Sequence, residues 1–120
     1  MKYLLILRGT GSVLEQLTCE QHAALHAGHQ AFQRIASEAG ELISTQTLAD
    51  PSTSTVIRGG IPAVSDGPFS TTEEFVGGYY LVDVDSRERV LELADLLPES
   101  RIDGLAVEIR PVMFSAAADF

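Results

Sequence analysis

GGYYLVDVDSRERVLELADLLP, residues Gly77 to Pro98, sets a strand and a helix end to end, and its reading decides the fold. Gly77 and Gly78 introduce Tyr79 to Asp83, a run of aromatic and β-branched residues that suits a pleated strand. Asp85 or Ser86 then caps a helix reaching about Leu97, with Val90, Leu91, Ala94 and Leu97 as its buried face and Pro98 as its stop. A closing strand, Leu105 to Arg110, ends at Pro111.

The first part of the chain repeats this order. Lys2 to Arg8 is a continuous apolar run that reads as a buried strand, broken by Gly9 and Gly11. Thr18 is placed as a helix N-cap, with Gln21 completing a capping box, and Gly40 is placed as the stop of a helix from about Cys19 to Ala39. Leu25, Gly28, Phe32, Ile35, Ala36 and Ala39 share one side of that helix and predict its core face. His22, His26 and His29 form a second stripe beside it, at the border between core and solvent. Glu41 to Ala49 is a further strand, ended by Asp50-Pro51. Between the two halves, Ser54 to Arg58, Gly59-Gly60 and Ile61 to Ser65 read as a β-hairpin, followed by a tight turn at Asp66 to Phe69. The tail from Ser115 to Phe120 reads as loosely held.

The order is β-α-β, a hairpin, then β-α-β. This predicts one α+β domain over residues 1–120, a ferredoxin-like antiparallel sheet with two helices on one face. The strands are apolar on more than one side, so the other face needs a cover. A second subunit is the simplest one, and a homodimer is the expectation.

Composition excludes several classes. Seventeen acidic residues against eight Lys and Arg give a net charge of −9, a field that repels phosphate backbones and argues against nucleic-acid binding. No apolar stretch approaches the roughly 20 residues of a membrane helix. The run after Lys2 is too short for a signal peptide, so a cytoplasmic location is expected. A single cysteine, Cys19, allows no intrachain disulfide. Neither Gly59-Gly60 nor Gly77-Gly78 matches a phosphate-binding loop, and no cofactor motif is visible.

DGPFSTTEE, residues 66–74, resembles the segment that names the DGPF group of YCII-related proteins. MKYLLIL at the start, a Thr-x-x-x-Arg strand ending at Arg58, GGYYLVDV at 77–84 and VEIRPV at 107–112 extend the resemblance over nearly the whole chain. The family commonly continues DGPF with a small residue, Glu, Thr, Lys and Glu. Here Thr71 stands at the first Glu and Glu73 at the Lys, while Glu74 matches. The resemblance implies a dimeric α+β barrel, two ferredoxin-like subunits packed sheet against sheet. Related barrels include muconolactone isomerase-like and chloromuconolactone dehalogenase-like enzymes, and DGPF proteins are often encoded beside, or joined to, extracytoplasmic-function sigma factors.

Asp66 is the first candidate for chemistry, a carboxylate fixed where a strand meets a Gly-Pro turn, able to orient a histidine or take a proton. It could equally cap its own turn. The resemblance favours the first use, because YCII-like proteins carry a His–Asp pair. His22, His26 and His29, at i, i+4 and i+7, can offer the partner from one helix side. Two of them with a carboxylate could also bind zinc, but no HExxH pattern supports a metal. DGPF relatives commonly have apolar or aromatic residues at these positions. Arg58 and Arg110 are the candidate anion anchors, with ion pairing to Glu108, Glu74 or Glu73 as the alternative. Tyr79 and Tyr80 alternate across their strand, so one faces the helices and the other the dimer contact, and either hydroxyl could reach a ligand. Cys19, at a helix start, lacks an evident base. The reading that follows is an acid–base pocket of the isomerase or lyase kind for a small carboxylate-bearing or lactone substrate. A non-catalytic ligand-binding or regulatory module, associated with a sigma factor, is the alternative.

Overall fold

The computed structural model describes residues 1–60, 63–70 and 72–116. Ile61 and Pro62 of the expected hairpin, Thr71, and the tail beyond Ala116 lie outside the described residues.

Strands β1 (Lys2–Thr10), β2 (Leu42–Thr47), β5 (Glu74–Asp83) and β6 (Ala106–Pro111) form one antiparallel sheet in the order β2-β5-β1-β6. Helix α2 (Cys19–Glu38) follows β1 and helix α3 (Arg87–Asp95) follows β5. This is the ferredoxin-like α+β arrangement, with β3 (Thr55–Ile57) and β4 (Val64–Asp66) inserted as a separate two-stranded hairpin. Among the described residues no helix is long and apolar enough to cross a membrane.

One core lies between the sheet and the helices. Tyr3 and Leu5 of β1 and Tyr80 and Val82 of β5 meet Phe32 and Ala36 of α2 and Val90, Leu93 and Ala94 of α3. Alternation along the strands sends Leu4, Ile6, Tyr79 and Leu81 to the opposite face, where Leu4 pairs with Leu81 and Ile6 with Tyr79. Arg89 of α3 clasps Glu41, just before β2, with its Nε 3.0 Å from both carboxylate oxygens. This fork holds the guanidinium pKa above its ordinary value.

Several local expectations change. Thr10 does not lie in a break: β1 runs through Gly9, and the Thr10 hydroxyl accepts from Val13 N to cap an extra short helix, α1 (Gly11–Gln16). Gly77 and Gly78 stand inside β5 rather than before it. The register with β1 slips between Leu7 and Arg8, so the glycine pair forms a bulge within one long strand. A Cβ on Gly78 would lie 2.7 Å from the Gln46 carbonyl oxygen, so only glycine lets β2 approach here. In α3 the buried leucine is Leu93, fully enclosed, whereas Leu91 is 41% exposed. Val90, Leu93, Ala94 and Leu97 follow the i, i+3, i+4, i+7 stripe of a helix packed on a sheet, and Leu91 falls off it. The helix also ends at Asp95, short of the expected Leu97, and Pro98 opens a 3-10 turn, Pro98–Arg101.

Helix α2 keeps its expected capping box, with Thr18 and Gln21 each bonding the other's backbone N–H. Only its second half enters the core. Phe32 and Ala36 are buried, Ala39 is exposed, and no residue before Phe32 is fully buried. The first half therefore stands over one end of the sheet without filling the space beneath it.

The two leucines of α3 separate the expected face from the observed one. Leu93→Ala should cost about 2–5 kcal/mol in urea denaturation, the range for emptying a core site. Leu91→Ala should stay within about 0.5 kcal/mol of wild type, as surface changes do. The reverse ranking would place the helix face wrongly.

Candidate functional site

The space under the first half of α2 is a cleft of about 540 Å³. Its floor is one end of the sheet: Leu7 to Gly9 of β1, Thr45 to Thr47 of β2, and Phe75 and Gly77 of β5. Leu14 of α1 and Leu105 before β6 add apolar wall, and His22, Leu25, His26, His29 and Gln33 descend from α2. The size and mixed lining suit a small organic molecule.

At its inner wall the polar groups are joined. His29 Nε2 is 2.6 Å from Glu99 Oε2, and His29 Nδ1 is 2.7 Å from the Tyr80 hydroxyl. Gln33 Nε2 donates to that same hydroxyl at 3.0 Å. The Tyr80 ring lies against Phe32, with centroids 4.5 Å apart, so the core fixes the phenol. Burial pushes the Tyr80 hydroxyl above its usual pKa. The Gln33 hydrogen bond pulls it back, and the charge of Glu99 pushes it further up.

Glu99 is only 8% exposed, and among the described residues its second oxygen, Oε1, is buried without a hydrogen-bond partner. The turn that carries it packs on Gly28. A Cβ at position 28 would lie 2.2 Å from Pro98 Cγ, so the proline ring rests directly on the helix backbone. Gly28, read from sequence as part of a core face, is the gap that lets the Pro98–Arg101 turn bring Glu99 beside His29. Ser100 Oγ donates to the Leu97 carbonyl at 2.7 Å and Arg101 pairs with Asp95, fixing the turn at its other end.

The expected site residues divide into two groups. His22, His26 and His29 all line the cleft. Asp66 does not: it ends β4 in the separate hairpin, is exposed, and among the described residues its carboxylate has no hydrogen-bond partner. The histidine's carboxylate partner is Glu99 instead, because the hairpin builds its own sheet while the Pro98–Arg101 turn reaches the helix. Arg58 lies outside the cleft, its guanidinium 4.9 Å over the Phe69 ring. Arg110 pairs with Glu108 at 3.0 Å, the alternative foreseen for it. Tyr79 is on the opposite sheet face, and its strand neighbour Tyr80 supplies the hydroxyl. Cys19 is exposed at the start of α2. Among the described residues no three His, Cys, Asp or Glu side chains gather as a metal site requires.

Glu99, Gln33 and Arg8, with Thr45, Gln46 and Thr47, are polar cleft residues that sequence reasoning missed. Gln33 carried a usable signal, since it follows His29 by four residues and must share its face. Gly28 carried another, an interior helix glycine that marks a close approach.

The family model for the YCII-related domain matches residues 1–114. An uncharacterized protein of Rhizobium meliloti (strain 1021) is 29% identical over 114 residues, covering 93% of this chain and 92% of that protein.

Gly28→Ala tests the support beneath Glu99. In a helix interior this change ordinarily gains about 1 kcal/mol. Here it should lower the denaturation midpoint, because the methyl group collides with Pro98. A raised midpoint would mean that the turn is not seated on the helix.

Proposed function

The chain belongs to the YCII-related domain family, and we propose that in this member the cleft binds a small, largely apolar molecule and moves a proton on it. The observation that carries this reading is that both nitrogens of His29 are committed, one to a buried carboxylate and the other to a hydroxyl at the cleft wall. The imidazole therefore works on a ligand through Tyr80. A base oriented by a third group is the recurrent way of activating a hydroxyl.

Counting protons fixes the direction of the relay. Glu99 as a carboxylate only accepts, so Nε2 carries the proton on that side. Gln33 donates to the phenol oxygen, and the phenol proton then satisfies Nδ1. When the phenol oxygen takes a proton from a ligand carbon or oxygen, the phenol's own proton passes to Nδ1. The imidazolium that forms is held by Glu99. Reversal returns the proton to a different ligand atom, so the net reaction is an isomerisation or the proton-transfer half of an elimination. With its pKa raised above the usual value of about 10, Tyr80 remains protonated at neutral pH. A free phenolate is then too scarce to act as base alone, and the relay removes that requirement.

Solvent-deuterium exchange tests this across a panel of candidate substrates. Small carbon acids and lactones are incubated with the protein in heavy water and followed by proton NMR. A ligand that binds the cleft should lose a carbon-bound proton signal, and Tyr80→Phe should slow that loss roughly a hundred- to ten-thousand-fold while binding persists. Exchange that continues unchanged in Tyr80→Phe would reject the relay. Binding with no exchange in wild type would leave a non-catalytic ligand-binding domain.

A further inference from the structure

Resting on the cleft as a ligand site, we infer that its ligand class is an apolar organic carboxylate, with His22 and His26 as the groups that read the anion. The first ground is the distribution of charge. Acidic residues outnumber Lys and Arg by 17 to 8, yet the cleft wall holds Arg8, His22, His26 and His29 against one acid, Glu99. Glu99 is already committed to His29, and Arg8 is paired with Glu108. In a protein with this excess of acid, a cleft whose fixed charges balance and whose other titratable groups are imidazoles is a local relief of the acidic field, and a pocket's own charges decide which small ions enter it.

The second ground is unused hydrogen-bonding capacity. His22 and His26 lie four residues apart on α2, so their rings stand on one side of the helix. Both are exposed, both line the cleft, and neither has a side-chain hydrogen bond among the described residues. Two adjacent ring N–H donors fit the two oxygens of one carboxylate, and such bonds strengthen when the rings are protonated. The third ground is the body of the cleft. Leu7, Leu14, Leu25, Phe75 and Leu105 offer an apolar wall beside these donors, which suits a hydrocarbon or aromatic group on the same molecule. A cation would find one acid on the cleft wall, Glu99, already bonded to His29. A strongly hydrated inorganic anion would leave the apolar wall unused.

The test uses a matched pair of probes, hydrocinnamate and hydrocinnamide, which share a 3-phenylpropanoyl body and differ in charge. Affinities are measured by NMR titration at a pH of about 6, below the ordinary imidazole pKa of about 6.5. Wild type should prefer the carboxylate by about tenfold, the scale of one or two charge-assisted hydrogen bonds in partly exposed surroundings. In the double variant His22→Gln, His26→Gln the preference should fall to near one. Equal binding of both probes by wild type, or a preference that survives in the double variant, would overturn the inference and leave the cleft reading intact. If neither probe shifts the resonances of Leu25, Phe75 or Tyr80, both the inference and the cleft reading fall.

Discussion

A carboxylate withheld from water beside a histidine is the constraint around which this cleft is built. Removing Glu99 from solvent costs on the order of several kcal/mol before compensation. Among the described residues only one of its oxygens has a hydrogen-bond partner, His29. An unpartnered buried oxygen adds roughly 1–3 kcal/mol of penalty. The segment that delivers it also requires a glycine in the middle of α2, where alanine would favour the helix. Two locally unfavourable choices thus converge on one place. Departures from local consistency of this kind gather where a protein binds or reacts, because stability alone would remove them.

The rest of the fold explains why there is room for a ligand at that place. Phe32 and Ala36 anchor the second half of α2 in the core, and the capping box at Thr18 keeps the first half helical although no residue before Phe32 is fully buried. The helix then spans open space at one end of the sheet. β1, β2 and β5 all reach that end, and the glycine at 78 lets β2 close against β5. Tyr80 stands where this floor meets the core, its ring fixed by Phe32 and its hydroxyl turned toward α2. A rigid sheet and a half-anchored helix position the polar groups more firmly than loops would.

The alternation of two periods, two residues for strands and about 3.6 for helices, was enough to order the elements as β-α-β, hairpin, β-α-β. The three histidines were also readable as one stripe bordering the core, because helical spacing alone places them together. What the pattern could not supply was contact between distant segments. Glu99 follows a proline after a helix and carries no periodicity that marks it as buried; the packing of that turn on Gly28, far away in sequence, buries it. Asp66 drew attention through its turn motif, but the hairpin that carries it pairs with itself rather than with the main sheet. Alternation separated Tyr79 from Tyr80 without saying which one faced the helices. Leu91 and Leu93 were confused for a related reason: a nine-residue helix offers few turns from which to fix its face.

The most direct test of the central claim is the nitrogen NMR spectrum of the His29 imidazole. A ring held between Glu99 and Tyr80 should carry a proton on Nε2 that exchanges slowly with water and resonates far downfield, as short hydrogen bonds to carboxylates do. It should differ in this from His22 and His26. If His29 instead exchanges rapidly and averages its two tautomers, the buried carboxylate does not hold it, and the relay built on that contact is contradicted.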